Sequence, residues 1–223
     1  MRKPNYINVK EFLVNSPEEK PKGVFLLAHT ADAGMATPFL ETYAKGVVAS
    51  GVRVVRFHFP FMEDILRSGL AISPGKKKIL TQCFNEVITH CIEKERCPSK
   101  SIIIGGKGMG SRIASSIADE HNVAGVICLS YPFYPVDHPY KLKQSRNEHL
   151  KTIQTPTLIC QGQFDRSGMK KVVKNYILSK SIKLHWLSKC DNDFRPGVLS
   201  DRTQEDNLED VIRTSIEFIN KLL

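Results

Sequence analysis

The chain has 223 residues, 41% of them hydrophobic and 25% charged, the make-up of one globular domain over residues 1–223. A core of that size buries about 70% of the surface an unfolded chain exposes, which excludes a small scaffold held by disulfides or metal. The formal charge of +9 raises nucleic acid as a partner, yet the basic residues form only short clusters, Lys76-Lys77-Lys78 and Lys170-Lys171, suited to solvated helix starts. No aromatic-interleaved basic motif accompanies them, so nucleic acid is not an expected partner.

The first residues, Met1-Arg2-Lys3-Pro4-Asn5-Tyr6, lack the apolar stretch of a secretion signal. No apolar run approaches the roughly 18 residues that a membrane span needs. A cytoplasmic protein with no membrane partner is expected. The six cysteines, at 83, 91, 97, 128, 160 and 190, include no Cys-x-x-Cys pair and read as reduced thiols.

Short β-branched runs alternate with longer stretches of helical period, the mark of a parallel sheet flanked by helices. Tyr6 to Val14 is a candidate antiparallel edge strand. Apolar strands are expected at Gly23–Ala28, Val52–Phe57, Ser101–Gly105, Gly125–Ser130, Thr157–Cys160 and Ile182–Trp186. Most are too apolar to have a wet face, as parallel central strands should be. Between them, Leu80, Cys83, Phe84, Val87, Ile88, Cys91 and Ile92 recur at intervals of three and four and place one stripe on a helix. Ile113, Ala114, Ile117 and Ala118 form a second stripe. Leu208, Val211, Ile212, Ile216 and Ile219 form a third, with Glu205, Asp206, Glu209 and Asp210 near its start, where acids favour the helix dipole. The longest irregular stretches, 131–153 and 188–204, are where function is expected.

Chemistry points to Ile102-Ile103-Ile104-Gly105-Gly106-Lys107-Gly108-Met109-Gly110-Ser111-Arg112, an apolar strand entering a helix through glycines. The dinucleotide pattern G-x-G-x-x-G fails, because its last position is Ser111 or Ile113. The phosphate-binding P-loop also fails, because Gly106-Lys107 is followed by Gly108 instead of Ser or Thr. What remains is the frame of a nucleophile elbow, G-x-S-x-G, with Gly108 where the serine would stand.

Other segments follow in order: Leu26-Leu27-Ala28-His29-Thr30-Ala31-Asp32-Ala33-Gly34-Met35, Arg56-Phe57, Ile127-Cys128-Leu129-Ser130-Tyr131-Pro132, Gln161-Gly162-Gln163-Phe164-Asp165 and Ile182-Lys183-Leu184-His185-Trp186. Together with the elbow they resemble the testis-expressed protein 30 family of small α/β-hydrolase-like proteins, distant relatives of dienelactone hydrolase, over roughly residues 22–222. The resemblance implies an α/β-hydrolase fold: a mostly parallel, twisted sheet with helices on both faces. It makes Gly108 the nucleophile position, Asp165 the triad acid and Asn192 the position of the catalytic histidine. It implies an oxyanion pocket from the backbone at Thr30 and Met109, with His29 matching the family's first-strand histidine and Thr30 standing where the family has glycine.

Serine acylation needs a hydroxyl and a base. Glycine has no side chain, and asparagine cannot accept a proton near neutral pH. The expected protein is therefore a cytoplasmic, catalytically impaired hydrolase relative with a degenerate triad and no cofactor or metal. The alternatives are an active carboxylic ester or thioester hydrolase with an unusual nucleophile, and a module that binds an ester-like small molecule or a protein partner. Ser111, on the first helical turn, reads as a capping or solvent-facing residue, Cys190 as a buried or incidental thiol, and His185 as a structural histidine in a strand. His58, His138 and His149 fall in loops without the spacing of a metal site.

Overall fold

The computed structural model describes residues 6–7, 11–136, 147–198 and 200–223. Its strands are β1 (Leu13–Asn15), β2 (Gly23–Ala28), β3 (Val52–Phe57), β4 (Ile102–Lys107), β5 (Gly125–Leu129), β6 (Thr157–Gly162) and β7 (Ile182–Leu187). They form one sheet in the order β1-β3-β2-β4-β5-β6-β7. Every neighbouring pair is parallel except β1, which runs antiparallel to β3 with Leu13 opposite Arg56. Among the described residues the expected edge strand forms at the end of its range, as Leu13–Asn15; residues 8–10 lie outside the described ones. The central strands are buried along their whole length, which is why they read as unbroken apolar runs. β4 and β6 each run two residues beyond the expected end, and β5 stops at Leu129.

Helices cover both faces. On one, α3 (Lys77–Glu93) and α4 (Met109–Ser115) pack Cys83, Phe84, Val87, Ile113 and Ala114 onto Leu26, Ile104 and Val126, joined by Phe61 and Met62 of α2 (Pro60–Ser68). On the other, α1 (Pro38–Val47) and α7 (Gln204–Ile219) bury Leu40, Tyr43, Leu208 and Val211 against Phe25, Ile103, Ile127 and Leu158. α1 starts where Thr37 accepts the Leu40 N–H and proline takes the first helical position, a place where a missing N–H costs nothing. α7 starts at a reciprocal capping box between Thr203 and Asp206, consistent with acids at its first turn.

The second stripe does not form one helix. α4 ends at Ser115, and α5 (Ala118–His121) begins after a break. Ser116 Oγ donates to the Ile113 carbonyl at 2.9 Å, while the Ser116 and Ile117 N–H groups bond three residues back instead of four. Serine hydroxyls that compete for helix carbonyls bend and end helices. α3 and α6 (Lys170–Val173) both start at the lysine clusters. Among the described residues, no helix is long and apolar enough to cross a membrane.

Candidate functional site

The glycines around position 108 are set by contact distances. A Cβ on Gly106 would lie 2.7 Å from the Ala28 carbonyl oxygen, and one on Gly110 2.7 Å from the Ala28 and His29 oxygens, all backbone atoms that cannot rotate away. Gly108 differs: it has φ 56° and ψ −113°, immediately before the first residue of α4. A Cβ there would meet only the Thr30 side chain, at 3.7 Å or more. The turn is therefore a strand-to-helix elbow whose central residue has room for a side chain and backbone angles that side chains disfavour. Gly108→Ser is accordingly expected to fold and to lose about 1–2 kcal/mol of stability. Calorimetry checks this, and an unchanged or higher Tm would remove the strained-elbow reading.

Residue 30 lies beside this turn. Thr30 follows β2, its hydroxyl bonds the Asp32 carboxylate, and it accepts the Ala33 N–H at 3.1 Å. Met109 is the first residue of α4, where an N–H has no acceptor within the helix.

The loops carrying the other two positions meet the elbow. Lys107, next to Gly108, is nearly buried and reaches Asp193 at 2.6 Å, its ammonium 5.0 Å from the Phe39 ring centre. Asn192, next to Asp193, is exposed, and its carbonyl accepts the Ser130 hydroxyl at 2.6 Å. Ser130 follows β5 with φ 53°, a left-handed angle for a non-glycine residue. The Asp165 loop is joined to the same region by Phe164 N–H to the Cys190 carbonyl at 2.9 Å. Positions 108, 192 and 165 therefore gather at the carboxyl ends of β4, β7 and β6, where open α/β sheets hold ligands.

Asp165 is 1% exposed. Its Oδ1 accepts the Ser167 N–H and hydroxyl, both at 2.8 Å, and its Oδ2 accepts the Gln161 amide at 2.7 Å. Burial raises its pKa, against the lowering effects of the Ser167 bonds and Lys107. No hydrogen bond joins Asp165 to Asn192 among the described contacts.

His29 is fully buried. Its Nδ1 lies 2.6 Å from the Thr30 carbonyl, and its Nε2 accepts the Phe59 N–H at 2.9 Å, so the ring is the neutral Nδ1–H tautomer. Burial, with a smaller contribution from His58, brings its pKa down to about 4. Between that value and the unfolded value of 6.5, the unfolded chain binds more protons, so stability is lost as pH falls through this window. Denaturant melts should show about 2 kcal/mol less stability at pH 5 than at pH 7 from this residue. His29→Gln should remove that share, and an undiminished slope would assign the acid sensitivity elsewhere.

The remaining candidates resolve clearly. Ser111 is buried, not solvent-facing: its Oγ lies 2.5 Å from the Gly106 carbonyl and 3.2 Å from that of Leu129, and it accepts the Leu129 N–H at 3.1 Å. It stitches β4 to β5 and gives no free nucleophile. Cys190 is buried, and burial first, then Asp191, pushes its thiol up to about 12. His185 pairs with Asp210 of α7 at 3.3 Å. His58 is half-buried and edges the His29 ring at 5.5 Å. His138 lies outside the described residues. Among the described residues, no group of three or more His, Cys, Asp or Glu could hold a metal ion. Sequence reading missed Lys107, Ser130 and Gln161. The only local signal was a lysine inside the glycine frame.

Residues 21–220 match the alpha/beta hydrolase domain. The solved structures that resemble the chain include dienelactone hydrolase from Anabaena variabilis (16% identity, 98% of this chain and 96% of that one, TM-score 0.70). Est1E from Butyrivibrio proteoclasticus with ferulic acid bound is another (14% identity, 95% and 98%, TM-score 0.67). A third is an alpha-beta serine hydrolase homologue from Coxiella burnetii (18% identity, 95% and 90%, TM-score 0.64). At these identities the likeness concerns the fold, the mostly parallel sheet with its elbow after β4. With the family match running from just before β2 to the end of α7, the chain belongs to the alpha/beta hydrolase domain family and has the α/β-hydrolase fold.

Proposed function

We propose that this chain is an α/β-hydrolase relative whose ester-cleaving machinery is dismantled, within one domain over residues 1–223 and similar to the testis-expressed protein 30 group. In this reading Gly108 occupies the nucleophile position, Asn192 that of the histidine, and Asp165 is the surviving acid, with the backbone of Met109 and Thr30 as the former oxyanion pocket. The observation that carries it is the elbow: its backbone is bent as a nucleophile turn, yet its central residue offers no side chain. Ser111 and Cys190 supply no substitute, one hydrogen-bonded inside the sheet and the other a protonated buried thiol.

Without a hydroxyl and an imidazole, no acyl-enzyme can form and no proton can leave the nucleophile. What the site retains is a place to hold a small ester-like or carboxylic ligand at the carboxyl ends of the strands; the ferulic acid bound to Est1E favours an aryl acid or ester. The six free thiols favour a reducing, cytoplasmic compartment. The test is a fluorophosphonate probe on the unmodified protein, with a serine esterase as positive control. No covalent adduct is expected, whereas stoichiometric labelling of one residue would overturn the reading and favour the active-hydrolase alternative.

A further inference from the structure

Residues 166–190 contain seven lysines and arginines and no acid, so this stretch supplies seven of the chain's nine net positive charges. Within it Arg166, Lys170, Lys171, Lys174, Lys180 and Lys183 are exposed, and none pairs with a carboxylate among the described residues. α6 turns its lysines outward because Val173 is buried and Val172 and Tyr176 pack on the core. The Lys174 N–H bonds the Lys170 carbonyl at 3.1 Å, which sets these two residues one turn apart. The Lys170 N–H bonds the Gln163 carbonyl at 3.2 Å, which brings the start of α6 against Phe164. Phe164 is 51% exposed, and Ile177, three residues beyond Lys174, is 76% exposed. Lys180 and Lys183 carry the charge on to the sheet margin at β7.

The acids at the borders of this surface are already engaged. Asp165 is held by Ser167 and Gln161, Asp193 by Lys107 and Arg195, and Asp210 by His185 and Arg213. Solvation of a helix start accounts for paired lysines, but not for a margin of one sign with two large apolar side chains standing among the cations. Like charges gathered in this way attract anions to the surface. A nucleic acid would call for several aromatic faces on which bases stack, and among the exposed side chains here only Phe164 offers one. A bilayer uses both features at once: apolar side chains enter the interface while lysines and arginines stay at the level of the headgroups.

We propose that this margin docks on the surface of an anionic phospholipid bilayer, with Arg166, Lys170, Lys171 and Lys174 at the headgroups and Phe164 and Ile177 in the interface. Docking needs no spanning segment, so the expectation of no membrane partner, which rests on the lack of a long apolar run, does not bear on it. Phe164 and Arg166 flank Asp165, so the docked chain holds the carboxyl end of β6 toward the lipid. The surface does not depend on whether the elbow is catalytic.

The experiment is co-sedimentation of the full chain with vesicles of phosphatidylcholine, alone and mixed with phosphatidylserine. Binding is expected to the mixed vesicles and not to phosphatidylcholine alone, and it should weaken as salt is raised. Lys171→Gln combined with Lys174→Gln should weaken it more than tenfold, from about fivefold per charge. Ile177→Ser should weaken it about fivefold through lost apolar insertion. Lys76→Gln combined with Lys78→Gln, at the other basic cluster, should leave it unchanged. All these side chains are exposed, and circular dichroism and Tm verify that each variant is folded. Failure to bind the mixed vesicles, or an equal loss from the two lysine pairs, would overturn the proposal. Affinity for polyglutamate or duplex DNA as high as for the mixed vesicles, with Ile177→Ser changing neither, would also overturn it and assign the surface to an acidic protein or a nucleic acid.

Discussion

Gly108→Ser combined with Asn192→His is expected to hydrolyse a short activated ester about a hundredfold or more faster than either single variant, because nucleophile and base act as a unit. The local geometry favours the pair. A side chain at 108 finds only Thr30 within 4 Å, and the backbone already holds the elbow angles, so the serine need not bend the chain. Position 192 is exposed and held from both sides, by Ser130 on its own carbonyl and by Lys107 on the adjacent Asp193. Asp165 Oδ2 takes one donor, from Gln161, and a carboxylate oxygen has capacity for a second. The Thr30 methyl, 3.7 Å from the new Cβ, is the nearest obstacle, so Thr30→Gly added to the pair is expected to raise the rate further. Rates are compared at matched concentration with the unmodified protein and both singles. An unmodified protein as fast as the pair would end the dismantled-triad reading. A folded pair no faster than the singles would mean that positions 108, 165 and 192 do not align for proton transfer.

Gly162→Ala is expected to destabilise the protein by about 3 kcal/mol or more, since overpacking against fixed backbone cannot be relieved by a rotamer change. In a chain of this length that corresponds to a drop in Tm of about 6–12 °C. The added Cβ would overlap the Asp191 carbonyl oxygen and lie 2.7 Å from that of Cys190. Making room means driving the loop after β7 away from β6, at the expense of the Gln163 N–H to Leu187 and Phe164 N–H to Cys190 bonds, both 2.9 Å. The same displacement would carry Asn192 away from Ser130. Gly75→Ala is the control: its φ is also positive, but nothing lies within 4 Å of the added atom, so only about 1 kcal/mol is at stake. Equal losses for the two variants would refute the close approach of the β6 and β7 loops.

The sheet was legible in the sequence because parallel strands buried on both sides are written as unbroken runs such as Ile102-Ile103-Ile104. The helices were legible where one apolar stripe was long, as in α3 and α7. α1 and α2 went unread: each begins at a proline, and each is too short for several repeats of its stripe. The stripe from Ile113 to Ala118 misled because periodicity carries no information about Ser116 turning its hydroxyl onto the Ile113 carbonyl. At the candidate site, the glycine frame and Asp165 could be found because they sit in local patterns. Lys107 with Asp193, Ser130 with the Asn192 carbonyl and Gln161 with Asp165 could not, since two of these pairings span 86 and 62 residues and arise only when separate strands end at the same level.

The antiparallel strand at the margin of the sheet has a consequence for how copies of the chain meet. β1 offers just three residues, and the opposite margin, β7, exposes Lys183. An incoming strand would find a template too short on one side and a charge to desolvate on the other, the features by which open sheets resist edge-to-edge growth. Heated or concentrated samples should therefore stay clear until the fold itself opens, so that the onset of light scattering follows the unfolding transition and does not precede it.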